Sequence, residues 1–386
     1  MSDLAVVFAG GGTGGHLYPA LAIAERLPNA HTRYIHSQRP IDTRVLDGAG
    51  VPDELRAASP GVPPTLHPWR GVRFIAAWGS AVRQARAVIR QTRRAHDGVV
   101  VVTTGGFVCA PAIRAAKAER VPLVSISLDA TPGKAARLAA RHADQPLSVY
   151  PLERHPGWRV VGPIVRRDAL APGSPSACRS RLGLSSDRPT LLVMGGSQGA
   201  TSLNTFIAAE LADPRDVGDV GDVGDVGATL RQGGWQVIHQ CGANDREHLE
   251  QRYEEAGVPA HVSALFDPVG EVWGAADLAL SRGGAGAIAE AWANGVPCVI
   301  APYPHHKDQH QAANALPLTE AGGAVVATDR IEPRANRSTI GVELARLLND
   351  TERRSAMRSA LAAMPTPSGA DQAARVVTAF ATRPEP

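Results

Sequence analysis

LAVVFAGGGTGGH, residues Leu4–His16, is the stretch that decides the fold of the first half of the chain. A short apolar run enters a glycine loop, and Leu17 and Leu21 beyond the loop have the spacing of a helix. This order predicts a strand, a tight turn and a helix, which together begin a βαβ unit. TLLVMGGSQGA, residues Thr190–Ala200, repeats the same features in the second half. The repetition predicts two parallel sheets, each opened by a strand and a glycine loop.

Further β-rich runs alternate with alanine-rich segments along the chain. In order they are TRYIH (32–36), GVVVVTTGG (98–106), PLVSISL (122–128), PLSVY (146–150), QVIHQCG (236–242), HVSALF (261–266), ADLALS (276–281) and PCVIAPY (297–303). Such alternation builds parallel sheets that helices cover on both faces. The Gly, Pro and Ser content of residues 161–176 predicts a linker between the halves. We therefore expect an α/β protein of two doubly wound, Rossmann-like domains that face each other across a cleft.

Length and composition limit the class of protein. The 386 residues suffice for two domains, and a net charge of +3 does not indicate a nucleic-acid partner. The four cysteines form no CxxC pair, which argues against a zinc site or a disulfide framework. No apolar stretch approaches the roughly 20 residues that span a bilayer. We expect a cytoplasmic protein with no metal or cofactor and, at most, peripheral membrane contact.

Three glycine loops follow predicted strands: GGGTGGH (10–16), TGGFVCAP (104–111) and GGSQGA (195–200). Glycines let the backbone approach a ligand closely, and the N-terminus of a following helix favours a phosphate. Ligands of open α/β sheets bind at the carboxyl ends of the strands, where all three loops are expected. The pattern predicts phosphate-binding loops in both halves.

Gly10, Gly12 and Gly15 also satisfy the GxGxxG spacing of a dinucleotide site. The second strand does not end in the acidic residue typical of a NAD site, but Arg39 follows it and is suited to an NADP phosphate. An NADP-dependent oxidoreductase therefore stays open as an alternative. The absence of GK[ST] from the glycine loops excludes a Walker-type nucleotide hydrolase.

The fourth motif is SRGGAGAIAEAWANGVPCVIAPY, residues Ser281–Tyr303, followed by HHKDQHQAAN, residues His305–Asn314. A glycine turn again leads into a helix, and Glu290 lies about two turns along it. Its carboxylate either reaches a ligand hydroxyl pair or lies on a solvated helix face. His16, directly after a glycine loop, is a candidate general base because neutral imidazole accepts a proton near pH 7. A structural histidine is the alternative.

The motifs GGGTGGH, TGGFV, VGPIVR, GGSQGA, SRGGAGAIAE and PYPHHKDQHQAANALPLTEAGGA have the order and approximate spacing of the MurG-type N-acetylglucosaminyltransferases. The chain resembles these GT-B enzymes of glycosyltransferase family 28 over nearly its whole length. The resemblance implies inverting transfer of N-acetylglucosamine from UDP-GlcNAc to a lipid-pyrophosphate-linked N-acetylmuramyl-pentapeptide in peptidoglycan synthesis. It also implies a peripheral protein on the cytoplasmic face of the cell membrane.

The resemblance assigns residues 1–163 to an acceptor- and membrane-binding domain and residues 164–367 to a donor-binding domain. A C-terminal helix at about 368–386 is expected to return to the first domain. His16 would be the general base. The implied donor-binding residues are Thr13, Gly14, Gly15, Asp129, Arg166, Ser197, Gln198, Ala285, Gly286, Ala287, Glu290, His310 and Gln311. The implied acceptor-binding residues are Gly11, Gly12, Thr104, Gly105, Gly106 and Phe107.

Some positions depart from the family pattern. Ile126-Ser127-Leu128-Asp129 stands where the family usually has His-Glu-Gln-Asn, and His310 replaces a usual glutamine. These departures affect the acceptor and sugar positions more than the nucleotide positions. They favour two alternatives: a related transferase with a different acceptor, and a non-catalytic nucleotide-sugar-binding relative.

Residues 69–94 combine aromatic and arginine side chains at near-helical spacing. The candidates for contact with an anionic membrane are Phe74, Ile75, Trp78, Val82, Arg83 and Arg86. The alternative is an amphipathic helix whose apolar face belongs to the core. The tandem repeat DVGDVGDVGDVG, residues 216–227, fits the spacing of neither an EF-hand nor the nonapeptide calcium repeat and is expected to form a flexible surface loop.

Overall fold

The structure, a computed structural model, describes residues 3–12, 14–61, 68–196, 199–212, 225–306 and 308–381, of which 68–76 and 381 are described by their backbone alone. The chain divides into two compact units, Met1–Arg167 with Pro367–Pro386 and Asp168–Thr366. The division falls after Arg167, so Arg166 belongs to the first unit together with the C-terminal helix.

Strands and helices alternate through both units. The strands are β1 (Leu4–Gly10), β2 (His31–Ser37), β3 (Arg56–Ser59), β4 (Gly98–Gly105), β5 (Leu123–Ser127), β6 (Gln145–Ser148), β7 (Arg159–Val160), β8 (Thr190–Met194), β9 (Gln236–Gln240), β10 (Ala260–Ser263), β11 (Leu278–Ser281), β12 (Cys298–Ile300) and β13 (Ala324–Val326). The helices are α1 (Gly14–Ala24), α2 (Pro40–Gly48), α3 (Pro68–Ala95), α4 (Cys109–Ala118), α5 (Lys134–His142), α6 (Pro175–Arg181), α7 (Thr201–Glu210), α8 (Val226–Gln232), α9 (Arg246–Glu255), α10 (Gly270–Ala275), α11 (Ala285–Asn294), α12 (His310–Glu320), α13 (Pro333–Asn336), α14 (Val342–Asn349), α15 (Thr351–Ala362) and α16 (Gly369–Ala381).

The first unit contains a parallel sheet of order β3-β2-β1-β4-β5-β6-β7. Residues of β1 point alternately to two cores. Val6 and Phe8 belong to a core that α1 and α16 complete, whereas Ala5 and Val7 belong to a core completed by α3 and α4. Because both faces are covered, the strand is apolar without interruption. The strand order reverses between β1 and β4, and a glycine loop follows each of these two strands.

The second unit contains a parallel sheet of order β10-β9-β8-β11-β12-β13. Its order reverses between β8 and β11, which again precede glycine loops. The expectation of two parallel-sheet, Rossmann-like domains is confirmed. Strands β3, β7 and β13 were not predicted, because RAAS, RV and AVV are too short to display a pattern.

The end of the tandem repeat differs from the expected surface loop. Residues 213–224 lie outside the described part, but the last copy, Asp225–Gly227, begins α8. The Asp225 carboxylate accepts a 2.7 Å hydrogen bond from Ala228 N and caps the helix. Val226 is fully buried. The prediction was therefore wrong for this last copy, because a short Asp-Val-Gly unit suits a helix cap as well as a loop.

Candidate active site

The first glycine loop rests on a buried carboxylate from the next βα connection. Asp42, in the first turn of α2, is fully buried. Its Oδ2 accepts hydrogen bonds from Gly12 N at 2.8 Å, Ser37 N at 2.9 Å and Ser37 Oγ at 2.6 Å. Gly12 was expected to bind the acceptor, but its amide donates inward to Asp42. No pattern in the sequence distinguishes Asp42 from an ordinary acidic residue near a helix N-terminus.

A second set of contacts joins this loop to the loop after β4. Arg39 donates a 2.7 Å hydrogen bond to Gly12 O, and its guanidinium lies 5.8 Å from the centre of the Phe107 ring. The buried Thr104 hydroxyl donates a 2.6 Å hydrogen bond to His16 O. Arg39 was considered above for an NADP phosphate, and Thr104 for the acceptor. In the structure, both side chains connect the two loops.

His16 lies in the first turn of α1 and is half-buried. Its Nδ1 is 3.2 Å from Gly11 O. Because a carbonyl oxygen only accepts, Nδ1 carries the proton and Nε2 is the basic nitrogen of the neutral ring. Burial lowers the pKa of His16 below its ordinary value, against the opposite effects of the Gly11 contact and of the Asp129 and Asp42 charges. The lowered pKa favours the neutral imidazole, which is the form that a general base must have.

The second glycine loop encloses this imidazole. Gly105 and Gly106 have φ of 122° and 83°, a region that favours glycine. A Cβ atom on Gly105 would lie 2.5 Å from Cδ2 and 2.9 Å from Nε2 of His16. A Cβ atom on Gly106 would collide with Gly11 O and lie 3.2 Å from Nδ1 of His16. These two residues, expected to bind the acceptor, leave the space that the histidine ring occupies.

The remaining predicted residues of the first unit lie at the start of α1, after β5 and near the end of the unit. Gly14 and Gly15 begin α1, and Gly15 is exposed. Asp129 follows β5 and is half-buried. Arg166 is 6% exposed, with its guanidinium 4.3 Å from the centre of the Tyr18 ring. Thr13 lies outside the described residues.

Predicted donor residues of the second unit gather at the N-terminus of α11. Ala285, Gly286 and Ala287 form its first turn after the N-cap residue Gly284, where the described side chains supply no capping hydrogen bond. The first turn of an α-helix has backbone N–H groups without intrahelical acceptors. Glu290 is half-buried and accepts a 2.8 Å hydrogen bond from Trp273 Nε1. It is therefore not on a solvated face.

The connection from β12 to α12 holds the remaining predicted donor residues. Gln311 Oε1 accepts a 2.8 Å hydrogen bond from Tyr303 N. His310 Nδ1 lies 2.7 Å from Asp308 Oδ1, and its ring stacks on His306 at 4.5 Å. The hydrogen bond from His310 holds the pKa of Asp308 below its usual range. Ser197 and Gln198 lie outside the described residues.

A cavity of about 630 Å³ opens in the second unit beside the third glycine loop. Its lining comprises Gly195, Gly199, Ala200, Thr201, Ser202, Thr205, Arg282, Tyr303, His305, Gln311, Ile331, Glu332 and Pro333. Of the predicted donor residues that the structure describes, Gln311 lines it, whereas Ala285–Ala287, Glu290 and His310 do not. The cavity lies at the carboxyl ends of β8, β11 and β12, the edge where such sheets bind ligands.

Arg282 and Asp329 form a buried ion pair beside this cavity that the sequence did not reveal. Arg282 Nη1 is 2.7 Å from Asp329 Oδ2, and Nη2 donates to Ser202 Oγ at 2.6 Å. Burial opposes ionisation of Asp329, but hydrogen bonds from Ser202, Asn336, Ile331 N and Arg282 hold its pKa below its ordinary value. Arg282 and Asp329 lie 47 positions apart in the sequence, so no local motif joins them.

Helix α3 carries the residues considered for membrane contact. Its buried stripe is Ala81, Ala85, Val88 and Ile89. Trp78 and Val82 are half-buried, and Arg83 is exposed. Arg86 Nε donates a 2.6 Å hydrogen bond to Glu119, which also pairs with Arg90 at 2.9 Å. The side chains of Phe74 and Ile75 lie outside the described residues, and no described helix is long and apolar enough to span a bilayer.

Two parallel sheets, each with glycine loops where its strand order reverses, define a GT-B-type protein. Residues 6–148 match the Glycosyltransferase family 28 N-terminal domain, and residues 190–373 match the Glycosyltransferase family 28 C-terminal domain. The chain belongs to glycosyltransferase family 28 and is a glycosyltransferase. Membership in this family excludes the alternative of an NADP-dependent oxidoreductase.

Curated relatives match nearly the full length. One relative is the UDP-N-acetylglucosamine–N-acetylmuramyl-(pentapeptide) pyrophosphoryl-undecaprenol N-acetylglucosamine transferase of Mycolicibacterium paratuberculosis. It is 33% identical over an alignment of 387 positions, gaps included, that covers 96% of this chain and 88% of the relative. The transferase of the same name from Paenarthrobacter aurescens is 35% identical over 360 residues, which cover 91% and 89%.

Solved structures share the fold. MurG of Acinetobacter baumannii aligns with a TM-score of 0.67 at 22% identity, covering 98% of this chain and 99% of that one. A UDP-GlcNAc 2-epimerase from Neisseria meningitidis bound to UDP-GlcNAc aligns with a TM-score of 0.58 at 12% identity, covering 98% and 99%. At these identities, the two likenesses establish the fold alone.

Proposed function

We propose that this chain transfers N-acetylglucosamine from UDP-GlcNAc, with inversion, to a lipid-pyrophosphate-linked N-acetylmuramyl-pentapeptide in peptidoglycan synthesis. The observation that carries the proposal is the position of His16, whose Nδ1 contacts Gly11 O and whose ring is enclosed by Gly105, in a chain whose curated relatives are named for this transfer. The first unit supplies the base in this proposal, and the second unit binds the donor.

His16 acts as the general base. As the acceptor hydroxyl attacks the anomeric carbon, Nε2 takes its proton while Nδ1–H stays directed to Gly11 O. A new C–O bond forms to the acceptor, the anomeric C–O bond to UDP breaks, and UDP leaves with the bonding electron pair. Attack opposite the leaving group inverts the anomeric centre.

The second unit stabilises the leaving nucleotide. Negative charge develops on UDP as it departs, and the first-turn amides of Ala285–Ala287 lie at the positive end of the α11 dipole. Glu290, held by Trp273, has the carboxylate needed to accept hydrogen bonds from the two ribose hydroxyls. Gln311, on the wall of the cavity, is the candidate contact for the donor sugar.

The test combines radiolabelled UDP-GlcNAc with a lipid-linked muramyl-pentapeptide. We expect UDP release and a labelled lipid product from the unmodified chain. His16→Ala should lower turnover by about 10²–10⁴-fold, the usual contribution of a general base, and leave donor affinity within about twofold. His142→Ala, at an exposed histidine of the same unit, is the matched control.

The outcomes separate the competing functions. UDP release without a labelled muramyl lipid would favour a different acceptor, which the Ile126–Asp129 departure also favours. UDP-GlcNAc binding without any turnover would favour a non-catalytic relative. Unchanged turnover in His16→Ala would remove His16 as the base.

For localisation, we propose peripheral binding of α3 to the anionic cytoplasmic face of the cell membrane. Arg83 is the strongest described candidate because it is exposed, whereas Arg86 already pairs with Glu119. Each arginine near an anionic surface contributes about 1 kcal/mol. Arg83→Glu should therefore weaken flotation with phosphatidylglycerol vesicles, whereas Arg141→Glu, on the exposed end of α5, should not. Equal effects of the two variants would contradict a specific role for α3.

A further inference from the structure

Asp42 is fully buried and lies directly beneath the glycine loop that precedes His16. Its carboxylate accepts from one hydroxyl and two backbone amides, those of Ser37 and Gly12, and Oδ1 lies a further 3.1 Å from Gly12 N. A buried carboxylate with several donors is strongly fixed, since losing any of them leaves a charge poorly solvated. Asp42 thus ties the end of β2 to the loop after β1.

The same loop holds the imidazole. A Cβ atom on Gly11 would collide with Asp42 Oδ2 and lie 2.8 Å from Ser37 N, so Gly11 sits against the carboxylate. The carbonyl oxygen of Gly11 is the group that accepts from His16 Nδ1 at 3.2 Å. Contacts therefore run without a break from Asp42 through Gly11 and Gly12 to the histidine ring.

We propose that Asp42 is a positioning residue for His16: it fixes Gly11 and Gly12 so that Gly11 O selects the Nδ1–H tautomer and directs Nε2 to the reacting hydroxyl. The proposal rests on the proposed function for its consequence in catalysis. The position of the ring and its tautomer are properties of the folded chain and are measurable without turnover.

Asp42 also acts on His16 through its charge. The carboxylates near the imidazole are those of Asp42 on α2 and Asp129 after β5, and both favour the protonated ring. A positive charge also lies on this loop, because the Arg39 guanidinium donates a hydrogen bond to Gly12 O. Replacing Asp42 by the neutral Asn removes a charge that raises the pKa of His16, so the pKa of the ring should fall.

If Asp42 only stabilised the fold, its replacement would have a different effect on His16. A carboxylate that only ties the end of β2 to the loop after β1 would change the free energy of unfolding when it is replaced, but the His16 tautomer in the molecules that still fold would stay the same. The distinguishing readouts are the ring ¹⁵N shifts of His16, which report the tautomer, and its titration by NMR.

The experiment uses the full chain labelled at its histidines, with His16 assigned from the resonance that His16→Ala loses. Asp42→Asn removes the negative charge, and Asp42→Ala removes the carboxylate that accepts the hydrogen bonds. If the Ala variant does not fold, both the tautomer and the pKa of His16 are measured on the Asn variant. Asp47→Asn removes the same charge from a more exposed position of the same helix and is the matched control. We expect a lowered His16 pKa and a mixed tautomer in the Asp42 variants, and no change in the control.

Turnover gives the second readout. A misplaced base costs rate more than donor affinity, so Asp42→Asn should lower kcat at neutral pH by about tenfold or more with the KM for UDP-GlcNAc within about twofold. The same tautomer and pKa of His16 in the Asp42 variants and the unmodified chain would overturn the proposal, as would an unchanged kcat in an active enzyme. If the unmodified chain has no transferase activity, the proposed function fails, and the NMR measurement still decides whether Asp42 positions His16.

Discussion

The indole Nε1–H of Trp273 donates a 2.8 Å hydrogen bond to Glu290 Oε2 and joins α10 to α11. Trp273 is 1% exposed, so its position is fixed by the core of the second unit. The other carboxylate oxygen, Oε1, would lie 4.0 Å from a Cβ atom on Gly286 in the first turn of the helix. The contact holds one carboxylate oxygen and keeps the other near the N-terminus of α11, where the nucleotide is proposed to bind.

Trp273→Phe should therefore weaken donor binding although Trp273 is not proposed to touch the donor. Phenylalanine keeps the aromatic bulk but removes the only hydrogen-bond donor of the side chain. We expect the KM for UDP-GlcNAc to rise about fivefold, equivalent to about 1 kcal/mol for one lost hydrogen bond, with kcat nearly unchanged. Initial rates over a range of UDP-GlcNAc concentrations measure both constants.

Trp292→Phe is the control for that change. Trp292 lies on α11 with Glu290, but its Nε1 donates to Pro365 O at 3.0 Å and not to the carboxylate. Its replacement should leave the KM within about twofold, as expected for a hydrogen bond outside the proposed site. A similar rise in both variants would mean that loss of stability, not the position of Glu290, weakens donor binding.

The pH dependence of the reaction should report His16. The base must be neutral to take a proton, and burial lowers its pKa below the ordinary 6.5. Activity is then present above the pKa of the folded chain and is lost as pH falls through it. We expect the acid limb of kcat/KM to have a midpoint below pH 6.5. A midpoint above that value would indicate that another group is the base.

Much of the fold was predictable because β1, β4 and β8 are continuous apolar runs that end in glycine loops. A strand covered on both faces must be apolar throughout, and that requirement is visible in a sequence. β13, with only the three residues Ala324–Val326, gains its place from pairing with β12 and has no pattern of its own.

The site was predictable only where a motif brings its residues together. His16 and Gly11 belong to one short motif and are five residues apart, so their proximity follows from the sequence. The contacts Asp42–Gly12, Trp273–Glu290 and Arg282–Asp329 join residues of different elements, and only the folded chain brings them to hydrogen-bonding distance. Thr104 and Gly12 were predicted as binding residues because they lie in glycine loops. In the structure, their hydrogen bonds to His16 O and Asp42 hold these loops in place.

Gly105→Ala should disable the base without changing the donor site. The added methyl group would lie 2.5 Å from Cδ2 of His16, and the backbone φ of 122° is also strained for alanine. Because the imidazole must move, we expect kcat to fall by about 100-fold, the effect of roughly 1 Å of misplacement. UDP-GlcNAc affinity, measured by calorimetry, should stay the same, since the proposed contacts of Glu290 and of the first turn of α11 with the nucleotide belong to the second unit.

Gly133→Ala is the matched control for this substitution. Its φ is −68°, and no atom lies within 4 Å of an added Cβ. The variant should have unmodified turnover. Equal activity of the Gly105 and Gly133 variants would contradict the close approach of the second glycine loop to His16.

Asp329→Asn should destabilise the second unit far more than removal of a surface ion pair. The Asp329 side chain is fully buried and that of Arg282 is 9% exposed, so loss of the carboxylate leaves a buried cation without its partner, at a cost of about 3–5 kcal/mol. Because the pKa of Asp329 lies below 3.8, this stabilisation is present at neutral pH and is lost only as pH falls through that lowered pKa. Glu250→Gln removes an exposed, solvent-screened pair with Arg246 and should cost much less. Urea unfolding at pH 7 measures the free energy of unfolding of both variants. Equal losses would mean that the buried ion pair stabilises the protein no more than an exposed pair does.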